Sequence, residues 1–166
     1  MSAPGPSHHV HAYACELRWT GAARGPTTSY AAYARDYEVL MAGKPALEGS
    51  ADAVFRGDPS RHSPEDLLLA ALSACHCLSF LALAARRGLV VLAYEDSARG
   101  TMQPAGGVTR FTEVVLAPRV TVAEGSRPEL VAELHALAHA GCYIASSVNF
   151  PVRHEPSLRA SPWVPV

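Results

Sequence analysis

The sequence has little of what marks several specialised protein classes. Aromatic residues make up only 7% of the 166 residues, and 14 Lys and Arg against 15 Asp and Glu leave a formal net charge of −1. A nucleic-acid-binding surface relies on excess positive charge and often on aromatic stacking platforms, so we expect no nucleic-acid partner. The four cysteines are too few and too unevenly spaced for a disulfide-stapled secreted scaffold, and they form no CxxC pair of a structural zinc site.

A secretory signal is also lacking, because no basic stretch at the amino terminus leads into an apolar one. We therefore expect a cytoplasmic protein. Residues 1–10 are small residues, prolines and histidines, which predicts a disordered leader, and residues 11–166 are expected to form a single domain. A chain of this length can bury roughly 70% of its unfolded surface, which is enough for one hydrophobic core.

One apolar run is long enough to raise the question of a membrane span. Residues 67–85 carry no charged side chain, but they include Ser73, His76 and Ser79. The run lies at the lower length limit for a span, and strand-like alternation lies on both sides of it. We interpret it as a buried core helix and expect no membrane partner.

The ends of this helix are well marked. Ser63 and Pro64 are typical of the N-cap and the first helical position, and Gly88 follows two cations that suit a helix C-terminus. At 1.5 Å per residue the helix is about 35 Å long, which is more than a monomer of this size readily buries on all sides. The length therefore predicts a homodimer with this helix at or near the interface.

The other elements group as strands around two helices, which indicates an α+β fold rather than an alternating α/β fold. Alternation and turn residues predict strands at 13–19, 36–41, 89–96, 111–122 and 150–154, a second helix at 128–140 and a long polar loop at 43–63. Gly141 is expected to cap the second helix.

Cys75 and Cys142 are candidates for a redox pair. Cys75 lies in the middle of the long helix, where a cysteine is usually a small packed hydrophobe. Cys142 directly follows a helix stop, where the amides of a following turn would stabilise a thiolate. Cys77 points about 200° away from Cys75 on a helix, so the two cannot both face one site, and His76, which also faces elsewhere, is a weak candidate for a base.

His135 and His139 offer a different chemistry. Their spacing of four residues on one helix face suits a metal, and Cys142 or His76 could add a third ligand. The glutamate of the HExxH motif is missing, however, and Gly141 breaks the helix before the cysteine. The two histidines could instead lie on the surface or at the dimer interface. An acyl-transfer triad has no support, because the sequence contains no GxSxG nucleophile elbow.

Two segments carry a family resemblance. Residues 63–76 read Ser-Pro-Glu-Asp-Leu-Leu-Leu-Ala-Ala-Leu-Ser-Ala-Cys-His, with Glu65 ten residues before Cys75. Residues 140–148 surround Cys142 with Ala-Gly-Cys-Tyr-Ile-Ala-Ser-Ser-Val. Both segments are similar to the cysteine motifs of the OsmC/Ohr family, the osmotically induced and organic hydroperoxide resistance thiol peroxidases.

The resemblance implies an OsmC-like fold, with antiparallel strands wrapped around a long central helix in an intertwined homodimer. It also implies that Cys75 attacks an organic hydroperoxide to become a sulfenic acid and then forms a disulfide with Cys142. A dithiol reductant, often lipoyl-bearing in the family, would restore the pair, and no cofactor or metal is implied. His76, where better-known members usually carry an aromatic residue, and the additional thiol Cys77 depart from the family pattern.

The family also holds the thiolate with an arginine paired to the glutamate that Glu65 matches. Arg24 and Arg35 are equal candidates for this arginine and Arg56 is a third, although each could be a surface charge. About 15 Å of unbroken helix would separate Glu65 from Cys75, so the glutamate could join the site only through a helix break or from the partner subunit; otherwise it is a first-turn acid that stabilises the helix. The functional alternatives are a non-catalytic redox-sensing or ligand-binding dimer on the same fold and a His/Cys metal-binding protein.

Overall fold

The computed structural model describes residues 10–164. The leader expected at residues 1–10 lies outside this range except for Val10, so its disorder stays a prediction. The chain divides at Glu65 into two compact units, residues 1–65 and residues 66–166. The expectation of a single domain over residues 11–166 likewise stays a prediction.

The first unit is built on a three-stranded antiparallel sheet. Its strands β1 (Glu16–Trp19), β2 (Tyr37–Leu40) and β3 (Leu47–Gly49) lie in that order. Short 3-10 helices lie at Gly21–Arg24, between β1 and β2, and at Ala53–Phe55, after β3. The first two strands fall in the predicted ranges, whereas β3 lies inside the predicted polar loop, because three residues are too few to show a strand period.

The long helix α1 (Pro64–Arg86) has the predicted bounds. Gly88 ends it in the left-handed region with φ of 69°, which glycine adopts without steric cost. Its fully buried positions recur every fourth residue, and they are Leu72, His76, Phe80 and Ala84. By length and composition α1 could cross a membrane, but this is weak evidence, since these positions pack into the interior of a folded unit.

The second unit contains six strands and a second helix. They are β4 (Val91–Asp96), β5 (Arg99–Ala105), β6 (Val108–Leu116), β7 (Pro118–Ala123), α2 (Pro128–Ala140), β8 (Val152–His154) and β9 (Ser157–Ser161). The strands form two sheets of order β4-β7-β9 and β5-β6-β8. The pairs β6–β8 and β7–β9 are parallel, and β4–β7 and β5–β6 are antiparallel. The predicted α+β class is therefore confirmed, with two parallel pairings beside the expected antiparallel ones.

The strands after α1 differ in detail from the prediction. The range 111–122 is not one strand but two, β6 and β7, which separate at Ala117, whose N–H donates to Asp96 Oδ1 over 2.7 Å. Strand β5 was missed because Gly100 and Pro104 are both unfavourable inside strands. The short strand β9 was missed as well, since it is bounded by prolines and mostly exposed.

Helix α1 contributes to both hydrophobic clusters of the second unit. Phe80 and Ala84, in its C-terminal half, pack with β7 and with the buried face of α2. Leu72, nearer its N-terminus, packs with β6 and with Val152 of β8. The middle of α1, around residues 75–77, therefore lies between the two clusters, where the cysteines and His76 are found.

Candidate active site

The structure brings Cys75 and Cys142 together within the second unit. Cys75 is half-buried on α1, and Cys142 is only 1% exposed in the segment that follows α2. The Cys142 thiol donates a hydrogen bond to Cys75, and both cysteines are free thiols. Two thiols from different elements in direct contact can interconvert with a disulfide without a large rearrangement of the fold.

The environment of Cys142 keeps it protonated. Burial, followed by the hydrogen bond to Cys75, raises the pKa of Cys142 to about 11. The backbone N–H groups of Ala145 and Ile144, at the short 3-10 turn Ala145–Ser147, act in the opposite direction. The amides expected after the helix stop are therefore present, although burial outweighs them. Gly141 ends α2 with φ of −95°, so it does not use the left-handed conformation that its residue type suggested.

Cys77 lies on another side of α1, as its spacing from Cys75 predicted. Burial and the nearby Asp96 carboxylate raise the pKa of the Cys77 thiol. The side chain neighbours Tyr94 of β4, whose own pKa is also raised by burial. Cys77 is thus a weakly reactive thiol outside the cysteine pair.

The candidate arginines Arg24 and Arg56 lie in the first unit and are both exposed. The Arg24 guanidinium forms an ion pair with the nearly buried Asp36 at 3.2 Å. Arg56 directly follows a 3-10 turn and has a left-handed φ of 67°. The charge of Arg24 is therefore already compensated by a carboxylate of its own unit.

Arg35 differs from both, because it lines a cavity of about 360 Å³ within the first unit. The cavity walls include Trp19, Tyr33 and Tyr37. The Arg35 guanidinium lies 4.0 Å from the Tyr33 ring centroid and 4.8 Å from that of Tyr30, and it donates to the backbone carbonyls of the same two tyrosines. Within residues 10–164 no carboxylate lies at ion-pair distance from Arg35, so its charge faces the cavity without a counter-ion.

Glu65 occupies the first turn of an uninterrupted helix. Because α1 runs unbroken from Pro64 to Arg86, about 15 Å of helix separates Glu65 from Cys75, and a helix break does not bring them together. The Oε2 atom of Glu65 is buried, and it has no hydrogen-bond partner in the described part of the chain. The route through a helix break is therefore excluded, and a contribution to a partner subunit and the role of a first-turn acid both stay predictions.

Four histidines, two of them fully buried and two partly buried, form a group beside the cysteines, called here the histidine cluster (His76, His135, His139 and His154). His76 Nε2 and His135 Nδ1 are 3.1 Å apart, and both side chains are fully buried. The His154 ring centroid lies 5.5 Å from that of His76 and 5.1 Å from that of His139. The expectation that His135 lies on the surface or at an interface is wrong, because the ring stacks on Phe80 at 4.1 Å inside the core.

The two fully buried members of the histidine cluster, His76 and His135, are neutral at pH 7. Burial, followed by repulsion from neighbouring histidines, lowers the pKa of both His76 and His135 to about 4. Within residues 10–164 no group of three or more His, Cys, Asp or Glu side chains is arranged to hold a metal ion. The metal-binding alternative built on His135 and His139 therefore has no support in the geometry, since His135 Nδ1 is engaged with His76.

A protein-family model described as "OsmC-like protein" matches residues 57–157, a range that includes Cys75, Cys142 and the histidine cluster. The chain belongs to the OsmC-like family. This confirms the resemblance found in the two cysteine motifs. None of the curated proteins compared with the OsmC-like chain matches it.

Solved structures agree with this assignment. An OsmC-like protein of unknown function from Vibrio cholerae is 30% identical with a TM-score of 0.81, over 89% of this chain and 99% of that one. An organic hydroperoxide resistance protein from Elizabethkingia anophelis is 16% identical with a TM-score of 0.67, over 93% and 99% of the two chains. A putative organic hydroperoxide resistance protein from Vibrio cholerae, with captopril bound in one active site, is 20% identical with a TM-score of 0.64, over 91% and 94%. The last two show a shared fold.

Sequence reasoning missed two features of the OsmC-like chain. His154 was not grouped with the other histidines, although its place at the end of a predicted strand near the core was a usable signal. The aromatic cavity around Arg35 was also missed, because Trp19 and Tyr37 lie on different strands and only the pairing of β1 with β2 makes them neighbours.

Proposed function

We propose that this OsmC-like protein is a thiol-dependent organic hydroperoxide reductase. The observation that carries the proposal is the direct contact between Cys75 and Cys142, two free thiols supplied by different elements. The likeness in fold to proteins described as organic hydroperoxide resistance proteins supports the same class of reaction.

The cysteine pair supports a balanced two-step oxidation. The Cys75 thiolate attacks the terminal peroxide oxygen, an S–O bond forms and the O–O bond breaks, and the released alkoxide takes up a proton and leaves as the alcohol while Cys75 becomes a sulfenic acid. Cys142 then attacks the Cys75 sulfur, an S–S bond forms and water leaves. The net reaction converts one hydroperoxide and two thiols to one alcohol, one water and one disulfide, and a dithiol reductant of the lipoyl type restores the thiols by exchange.

The order of the two cysteines follows from their surroundings. Cys142 is almost fully buried, and its pKa is raised to about 11, so it is protonated and shielded while Cys75 is reduced. Cys75 is more accessible, which suits the residue that meets the hydroperoxide first. Cys142 in turn suits the resolving role, because its reaction needs only the sulfur beside it.

For the arginine of the site we propose Arg35. Its guanidinium faces an aromatic-walled cavity and has no carboxylate partner among residues 10–164, whereas Arg24 is paired with Asp36. For the glutamate we propose Glu65, acting in the partner subunit, because α1 is unbroken and one carboxylate oxygen of Glu65 is buried with no hydrogen-bond partner in the described part of the chain. Arg35 and Glu65 would together hold the thiolate and the peroxide, without any metal or organic cofactor.

The test is the stoichiometry of oxidation. Reduced protein receives one equivalent of cumene hydroperoxide, and free thiols, cumyl alcohol and the mass of digested peptides are measured. We expect two thiols lost per equivalent, one equivalent of cumyl alcohol, a cross-linked peptide pair containing Cys75 and Cys142, and unmodified Cys15 and Cys77. Cumyl alcohol in place of the hydroperoxide is the control. If all four thiols survive for minutes, the proposal is wrong, and a non-catalytic redox-sensing or ligand-binding dimer replaces it.

We also propose that the active form is a cytoplasmic homodimer with α1 at its interface. Only 22% of the most apolar 18-residue window of α1 is buried within one chain. One side of the helix carries exposed apolar residues at a spacing of four, and they are Ala70, Ala74, Leu78 and Ala82. An uncovered apolar stripe along a helix of this length suits a second copy of the same helix.

A charge at the centre of this stripe should prevent dimerisation. Leu78 is 67% exposed, so Leu78→Glu leaves the core of the single chain intact but would bury a carboxylate between two copies of α1. We expect sedimentation velocity to show a dimer for the wild type and a monomer for the variant. Leu137→Glu, the same change at a 42% exposed leucine of α2, is the matched control and should stay dimeric. A dimeric Leu78→Glu protein would contradict α1 as the interface.

A further inference from the structure

The two cysteines depend on the spacing between helices α1 and α2. Cys75 lies on α1, directly before His76. Cys142 follows α2 and is tied to its last turn, because the Cys142 N–H donates to the His139 carbonyl over 3.2 Å. Any shift of α2 along or away from α1 therefore moves the Cys142 sulfur relative to the Cys75 sulfur.

The polar contact between the two helices nearest to the cysteines is made by the histidine cluster. His76 of α1 and His135 of α2 approach to 3.1 Å, with their rings parallel to within 7°. The face of His135 is fixed by Phe80, and His154 of β8 lies beside His76. Both helices and one strand supply members, so the cluster links α1, α2 and β8 by ring contacts.

Stability alone does not explain this cluster. His76 Nδ1, His135 Nε2 and His139 Nδ1 are buried, and none has a hydrogen-bond partner within residues 10–164. An unpaired buried polar atom is costly, and apolar side chains of similar shape would pack there without that cost. What a hydrogen bond adds to packing is a defined distance and direction between the two helices.

We propose that the histidine cluster is a positioning device that holds α1 and α2 at the separation at which Cys142 meets Cys75. The benefit rests on the proposed function, because the disulfide-forming step of the peroxidase cycle is the step that needs this contact. The cluster acts on the pairing of the two sulfurs and not on the attack of Cys75 on a hydroperoxide.

The test uses glutathione redox buffers, which oxidise the pair without any hydroperoxide. The equilibrium between reduced and disulfide protein gives the effective concentration of Cys142 at Cys75. We expect His76→Phe and His135→Phe each to lower it at least tenfold, because the ring shape is kept but the hydrogen bond is lost. His62→Phe, at an exposed histidine of the first unit, should leave it unchanged.

Two pairs of amide variants keep the test decisive even where the phenylalanine variants do not fold. His76→Gln and His135→Asn place an amide group near the position of the interacting nitrogen, Nε2 of His76 or Nδ1 of His135, and should keep most of the wild-type effective concentration. The exchanged variants, His76→Asn and His135→Gln, carry the same amide group on side chains of the wrong length. They should lose the high effective concentration of Cys142 at Cys75. Wild-type effective concentrations in folded phenylalanine variants, or equal values for the two amide pairs, would overturn the proposal.

Hydroperoxide kinetics separate this proposal from the proposed function. In the phenylalanine variants the first thiol should disappear with cumene hydroperoxide at the wild-type rate, and the second should disappear at least tenfold more slowly. A general loss of structure would instead affect both rates. If hydroperoxide consumes no thiol in the wild type, the peroxidase assignment fails, while the glutathione equilibrium still decides whether the cluster positions the cysteines.

Discussion

Replacing Cys75 by serine should lower the rate of cumene hydroperoxide consumption by more than about 1,000-fold, because a serine hydroxyl is hardly ionised at neutral pH and is a poor nucleophile toward peroxide oxygen. Peroxide remaining over time, with dihydrolipoate as the reductant, measures the rate. Cys77→Ser is the matched control, since Cys77 lies two residues away outside the pair, and it should keep nearly the wild-type rate.

Cys142→Ser should separate the two steps of the cycle. The first turnover needs only Cys75, so we expect it to proceed at close to the wild-type rate and to stop at a sulfenic acid, which dimedone traps and mass spectrometry locates. Turnover with dihydrolipoate should then fall, because no intramolecular disulfide forms. The reverse pattern, with first turnover lost in Cys142→Ser and kept in Cys75→Ser, would exchange the roles of the two cysteines.

Acid should destabilise the protein through the histidine cluster. The pKa of His76 and that of His135 are lowered from 6.5 to about 4, chiefly by burial, and burial also lowers the pKa of His154. His139 adds to the repulsion at His76, while Asp96 opposes it. In the unfolded chain these histidines bind protons near pH 6.5, so the unfolded state gains protons first as the pH falls.

The sign and size of the effect follow from this difference. His76 and His135 contribute to the free energy of unfolding because they are buried in their neutral form. This contribution is fully present above pH 6.5 and is lost as the pH falls from about 6.5 to about 4. A shift of about 2.5 units is worth about 3 kcal/mol for one histidine at 1.36 kcal/mol per unit. The pair shares one contact, so we expect the loss from both histidines together to be less than twice this value.

Urea unfolding at pH values between 7.5 and 4.5 measures this loss. Carboxylates begin to titrate at the lower end of the range, so the comparison is with a variant rather than with absolute values. His76→Gln removes one titrating ring. We therefore expect the unfolding free energy of this variant to decrease by about 2–3 kcal/mol less than that of the wild type over this pH range. His62→Gln, at an exposed histidine, should leave the slope as in the wild type. Equal slopes in His76→Gln and the wild type would contradict the prediction.

Local signals in the sequence were enough to predict the long helix. Pro64 and Gly88 affect the backbone at their own positions, so the start of α1 could be predicted to the residue and its end to within one residue. The meeting of Cys75 with Cys142 was predicted from a family resemblance and from their places on two different elements, Cys75 on α1 and Cys142 directly after α2. The geometry agrees with that pairing, while the chemical roles of the two cysteines stay with the experiments above.

Other features depend on contacts between distant parts of the chain. The equal ranking of Arg24 and Arg35 could not be resolved from the sequence, because it depends on Asp36 lying beside one guanidinium and aromatic rings beside the other. The burial of His135 was missed for a similar reason. The sequence around His135 does not show that a second histidine, His76, faces it from the other helix.

The two parallel pairings give the second unit an order of assembly. Residues 152–161 supply the third strand of both sheets, as β8 beside β6 and β9 beside β7. Until a ribosome has released this segment, each sheet has only two strands, and such ribbons are marginally stable in water. His154 arrives with the same segment, so the histidine cluster closes late in synthesis. A nascent chain therefore lacks the third strand of both sheets and the His154 ring beside His76 and His139 until residue 161 has emerged.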